Sequence, residues 1–124
     1  MNIVFEDATD YLIVRVEGEW TTDTMRETIK NTAREARKRG FQHIFADCRM
    51  LCAPKTELLR FEAGQDVAQH FAHDLKLAVL YPKDLINKIA ENVAVNWGAF
   101  MAVFFDLDEA LSWLKEREGH RHNT

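Results

Sequence analysis

Hydrophobic and polar positions alternate with two different periods along this chain. Ile3 to Phe5 is a short apolar run, and the turn-like Asp7-Ala8-Thr9-Asp10 comes next. Tyr11 to Glu17 then alternates with period two, which sets Leu12, Val14 and Val16 on one face. This predicts a β-hairpin, ended by Gly18. From Thr22 the period lengthens. Met25, Ile29, Ala33 and Ala36 recur at the three-to-four spacing of an amphipathic helix, and Arg26, Glu27, Lys30, Arg34 and Lys38 hold the opposite face. Thr22 is expected as the N-cap and Gly40 as the terminator.

The two periods then take turns. Phe41 to Asp47 predicts a strand and Cys48 to Ala53 a loop. Pro54 suits the first turn of a second helix running to about His73, with Leu58, Leu59, Phe61, Val67, Ala68 and Phe71 as its apolar positions. Gly64 inside that helix predicts a kink or a close backbone contact. Leu75 to Tyr81 is nearly continuously apolar, as in the buried middle of a sheet. A third helix is expected from Pro82 and Asp84 to Gly98, burying Leu85, Ile86, Ile89, Ala90, Val93 and Trp97. Ala99 to Phe105 is the last strand. Asp106 with Glu109 fits an acidic capping box ahead of Leu107, Ala110, Leu111 and Leu114, and Trp113 should flank that stripe, partly exposed.

The resulting order is β-β-α-β-α-β-α-β-α. It predicts an α/β fold: a mostly parallel five-stranded sheet with an antiparallel N-terminal hairpin and right-handed crossovers. One domain is expected over residues 1–117, with a polar tail at 118–124. A chain of 124 residues can bury enough surface to need no disulfide or metal staple. No apolar run approaches the ~18 residues that cross a bilayer, and no basic stretch followed by an apolar one opens the chain. The expected location is therefore the cytoplasm. A net charge of −4 argues against a nucleic-acid partner. The basic cluster Arg34, Arg37, Lys38 and Arg39 reads as a helix end matched to its dipole.

Candidate chemistry is sparse. Ser112 is the single serine and lacks nucleophile-elbow glycines, and no glycine-rich phosphate cradle occurs. Cys48 and Cys52 form C-x3-C, neither a redox pair nor half a zinc knuckle, with Cys48 expected to face inward and Cys52 to be the more reactive. His70 and His73 stand at i, i+3 but supply too few ligands for a catalytic zinc. His120 and His122 in the tail would bind metal only weakly. Asp47, Asp84, Asp106 and Asp108 fall near the carboxyl edge of the sheet, where two of them already serve helix starts. No catalytic residue, metal site or cofactor is expected.

Two stretches carry a family resemblance. HIFADCRMLCAPKTELLRFEAG, from His43, resembles the strand-loop-helix core of STAS domains, the SpoIIAA-like, anti-sigma-factor-antagonist type. FMAVFFDLDEALSWL is similar to the ending of SpoIIAA-like, CRAL-TRIO-related proteins. The resemblance implies a SpoIIAA-like fold and a non-enzymatic regulatory module. In antagonist-type STAS domains an acidic residue, a phosphorylatable serine and a glycine open the helix after this strand. Here Lys55 takes the acidic position, Thr56 the serine position, and the glycine falls near Leu58, so only the hydroxyl survives. Thr56 is thus the implied phosphoacceptor, the alternative being a plain helix cap.

The expected function is contact with an unknown protein partner through Arg49, Met50, Leu51, Cys52 and Lys55. Met50, Leu51 and Cys52 are apolar where a solvent loop is normally polar; the alternative is that they tuck under the domain. A second reading is a small apolar-ligand or lipid site between the sheet and the second and third helices, lined by Phe61, Phe71, Trp97 and Phe104. A homodimer is left open.

Overall fold

The structure, a computed structural model, describes residues 1–116. The tail at 118–124, with His120 and His122, lies outside the described residues. The elements are β1 (Asn2–Asp7), β2 (Leu12–Gly18), α1 (Thr22–Arg39), β3 (His43–Leu51), α2 (Glu57–Phe71), β4 (Lys76–Leu80), α3 (Ile89–Asn96), β5 (Phe100–Phe104) and α4 (Leu107–Lys115). The five strands lie side by side in chain order, β1 antiparallel to β2 and the rest parallel. This is the mixed α/β sheet that the alternation predicts.

Consecutive strand order decides where the helices go. Each crossover moves one strand in the same direction, so right-handed connections send α1, α2 and α3 to one face. There Leu12, Val14, Val16, Ile44, Ala46 and Leu77 of the sheet meet Ile29, Ala33 and Ala36 of α1, Ala63, Val67 and Phe71 of α2, and Ala94 of α3. The opposite face is covered by α4, whose Ala110 and Leu114 pack on Phe45, Ala78 and Leu80. Both faces of β4 are therefore buried, which explains why its sequence is apolar apart from Lys76.

Local chemistry accounts for the helix ends. The N-cap of α1 is Thr21, one residue earlier than expected, because Thr21 and Thr24 can form a reciprocal box. The Thr24 N–H donates to Thr21 Oγ1 at 3.1 Å, and the Thr21 N–H donates to Thr24 Oγ1 at 2.9 Å. Gly40 ends α1 in the left-handed region, at φ 81°. Asp106 caps α4, its Oδ1 accepting from the N–H groups of Asp108 and Glu109 at 2.8 and 3.2 Å.

The third helix departs from expectation. Lys83–Leu85 forms a single 3-10 turn, and α3 starts only at Ile89, after Lys88 at φ 68°. Asn87 Oδ1 accepts from the Ile89 N–H at 3.1 Å and restarts the helix. The shortened α3 leaves Trp97 just past its last turn and 68% exposed, rather than facing the core. Against α3 lies Gly64, where an added Cβ would sit 2.5 Å from the Ala90 carbonyl oxygen. The glycine marks the closest approach of two helix backbones. No helix among the described residues is long and apolar enough to cross a membrane.

Candidate functional site

Of the stretch Cys48 to Ala53 expected to be a loop, residues 48–51 are instead the end of β3. Arg15 pairs with Asp47, but Glu17 pairs with Met50, so two steps along β2 match three along β3. The extra residue is a bulge, and it swaps the inward and outward sides for the rest of β3. Met50 therefore points to solvent, 72% exposed, while Leu51 turns inward at 5%. The Cys52 N–H donates to the Gly18 carbonyl at 2.9 Å and fixes the strand end. Cys52 is exposed. Of the expected contact residues, then, Arg49, Met50, Cys52 and Lys55 are on the surface, and Leu51 is in the core.

Arg49 is not a free cation. Its Nε and Nη2 donate to Asp47 Oδ1 and Oδ2 at 3.0 and 2.8 Å, and its N–H donates to Oδ1 at 3.2 Å. The guanidinium holds the Asp47 carboxyl below its usual range, against a smaller opposing effect of burial. Beyond the strand end, Thr56 is the N-cap of α2. Its backbone is extended, its side chain is exposed, and its hydroxyl makes no capping hydrogen bond. Leu58 and Phe61 lie on the outer side of α2, both exposed. Met50, Lys55, Thr56 and Leu58, at the end of β3 and the start of α2, are thus all exposed to solvent.

Under the same helix lies a cavity of about 110 Å³ between the sheet and helices α1, α2 and α3. Val14, Val16, Leu51, Val67, Phe71 and Met101 are among the apolar residues of its wall. Cys48 also lines it, and burial pushes its thiol up to about 12. Of the four side chains expected to line a pocket between the sheet and the second and third helices, Phe71 alone lines this cavity. Phe61 and Trp97 stand exposed. Phe104 belongs to the opposite face of β5, where its ring lies 5.7 Å from Trp113. The bulky aromatics were expected inside on hydrophobicity, but the close α2–α3 approach at Gly64 and the parity of β5 turn three of them away.

No family model matches the chain, and no curated protein matches it. Solved structures do. The chain is similar to an anti-sigma factor antagonist from Mycobacterium paratuberculosis, with a TM-score of 0.62 over 93% of this chain and 94% of that one, at 12% identity. The fold is the STAS, SpoIIAA-like one. A second structure, the anti-sigma factor antagonist SpoIIAA in its unphosphorylated form, gives a TM-score of 0.53 over 92% of this chain and 96% of that one, at 13% identity. At such identities the likeness is one of architecture.

Within this STAS fold the other candidates are structural. Arg37 bridges to Asp74 at 2.9 Å and donates to the His70 carbonyl at 2.9 Å, so it closes the end of α2. Arg39 pairs with Asp7 at 2.7 Å and Glu35 at 2.9 Å. Among the described residues no three His, Cys, Asp or Glu side chains gather in a way that could hold a metal ion. Sequence reasoning missed Trp20, Arg60 and Tyr81, which line the cavity. A signal for Arg60 was present: Arg60, Ala63, Val67 and Phe71 fall at helical spacing, which puts a guanidinium on the buried stripe of α2.

Proposed function

We propose that this chain is a non-catalytic regulatory module of the cytoplasm that binds a protein partner through the β3–α2 junction. Binding would be controlled by phosphorylation of Thr56. The observation that carries the reading is the uncapped, exposed Thr56 hydroxyl at the start of α2, with Met50 and Leu58 of the same junction also exposed. Support comes also from the STAS fold: both solved relatives are named anti-sigma factor antagonists, and one is specified as unphosphorylated. That likeness supports a protein regulator as the partner.

The physics of the corner suits such a switch. Free N–H groups at the start of α2 and the helix dipole favour a phosphate there. Lys55 adds a neighbouring cation. The same phosphate would bring about two negative charges to an apolar contact surface, and a partner seated on Met50 and Leu58 would be expelled.

The test compares wild type with Met50→Glu/Leu58→Glu and Thr56→Glu as baits in quantitative pull-downs, with Phe5→Tyr as a remote control. A partner held by wild type and the control but lost from both junction variants supports the reading. An identical set of captured proteins removes the junction from consideration. Incubation with ATP and cell extract should add one phosphate to wild type and none to Thr56→Ala; label persisting in Thr56→Ala rejects the switch.

A further inference from the structure

Three side chains on the wall of the cavity beneath α2 carry buried polar atoms without a well-formed hydrogen bond. Trp20 Nε1, Arg60 Nε and Tyr81 Oη are buried, and none has a hydrogen-bond partner among the described residues. Trp20 is 7% and Tyr81 5% exposed, and the Arg60 side chain is 11% exposed. They are neighbours. The Arg60 guanidinium carbon lies 6.0 Å from the Trp20 ring centre and 5.8 Å from that of Tyr81. Buried polar groups are nearly always paired, and three unpaired ones at one place call for a ligand.

Their chemistry specifies it. The indole and guanidinium N–H groups can only donate, and the phenol can donate as well. Their complement is a group that only accepts. The charge of Arg60 meets the faces of two aromatic rings and one exposed carboxylate. Glu57 Oε1 lies 3.4 Å from Arg60 Nε, but Glu57 is exposed, and its Oε2 accepts from Asn87 Nδ2 at 2.5 Å. The other charged groups on the lining, Lys88 and Glu91, face each other at 3.5 Å, and Glu91 also accepts from the Val103 N–H at 2.6 Å. Arg60 is therefore the one lining cation whose anionic partner is exposed to solvent, which matches a monoanion better than a phosphate. The remaining wall is apolar, and cavities of this order of size admit a benzene-sized body.

We propose that the cavity binds a small apolar monocarboxylate. Its carboxylate would lie on Arg60, Trp20 and Tyr81, and its hydrocarbon body among Val14, Val67 and Met101. Planar forked donation from a guanidinium is the geometry that carboxylates fit, and the low dielectric of the site strengthens it. This inference stands on the cavity alone and is independent of the protein contact at the junction.

The test uses the full chain, labelled with nitrogen-15, and millimolar benzoate, hexanoate and benzyl alcohol as probes. The Trp20 indole signal is assigned by its loss in Trp20→Phe. At least one acid is expected to shift that signal saturably while the Trp113 indole, on the other face of the sheet, stays in place. Arg60→Met and Tyr81→Phe should weaken acid binding, the former at least about tenfold, and benzyl alcohol should bind at least about tenfold more weakly than benzoate. Tyr81→Phe keeps the ring and serves if Arg60→Met fails to fold. A Trp20 signal unmoved by both acids overturns the proposal. So do equal affinities for benzoate and benzyl alcohol, or acid binding undiminished in the folded variants.

Discussion

The ammonium of Lys76 donates to the Trp113 carbonyl at 2.7 Å and sits 4.5 Å from the centre of the Trp113 ring. It donates also to the Glu116 carbonyl, at 3.1 Å. Lys76 is 1% exposed, so a buried strand residue supplies the cation that the last carbonyls of α4 require. Lys76→Met keeps the stem and removes the donor. It is expected to cost about 1–3 kcal/mol in urea unfolding, since two carbonyls lose a charged partner. Amide exchange in α4 should quicken at the same time. An unchanged unfolding midpoint would show that the ammonium is offset by its own desolvation.

Gly64 offers a test in which propensity and packing oppose each other. Alanine is favoured over glycine in a helix by about 1 kcal/mol. Here the new methyl would lie 2.5 Å from the Ala90 carbonyl oxygen and 2.8 Å from Val93 Cβ. Gly64→Ala is expected to lower the thermal midpoint, with a net loss of about 1–3 kcal/mol from overpacking. A raised midpoint would mean that α2 and α3 separate without cost.

The two thiols should differ in reactivity. Cys52 is exposed, whereas burial pushes Cys48 up to about 12, and the Asp47 carboxylate adds to the shift. At about pH 8 a thiol shifted that far has almost no thiolate. Iodoacetamide followed by peptide mapping should find Cys52 modified and Cys48 intact until denaturant is added. Equal labelling of both in native protein would contradict the packing of Cys48.

Asp47 gives a pH dependence with a definite sign. Its carboxyl is held below its ordinary range, chiefly by the hydrogen bonds from Arg49. Such a group contributes stability above its unfolded pKa of about 4, and that contribution fades as pH falls through the lower folded value. In Arg49→Gln the depression should shrink. The urea midpoint of this variant is expected to fall less than that of wild type between about pH 6 and about pH 3. Parallel curves would show that Asp47 draws nothing from Arg49.

Features set by near neighbours in the chain could be read in advance. The alternation of Leu12, Val14 and Val16 and the Asp106 cap are of this kind. The inward turn of Leu51 was not, because the bulge that causes it depends on how β3 pairs with β2. Trp97 and Phe61 misled for a different reason. Hydrophobic ranking puts large aromatics inside, but a helix face built for close approach selects Ala63 and Gly64 instead. Arg60 was overlooked because a charged residue on a helix is ordinarily solvated. Only the positions of Trp20 and Tyr81, far away in the chain, give its burial a meaning.

The consecutive order of the strands carries a consequence for synthesis. Three helices close over one side of the sheet as the chain is made, each between two strands. The other side waits for a single element, α4. Until that segment has left the ribosome, Phe45, Ala78 and Leu80 form a sticky strip open to whatever is near. Messages cut short before Asp106 should therefore yield a product that chaperones retain and proteases clear.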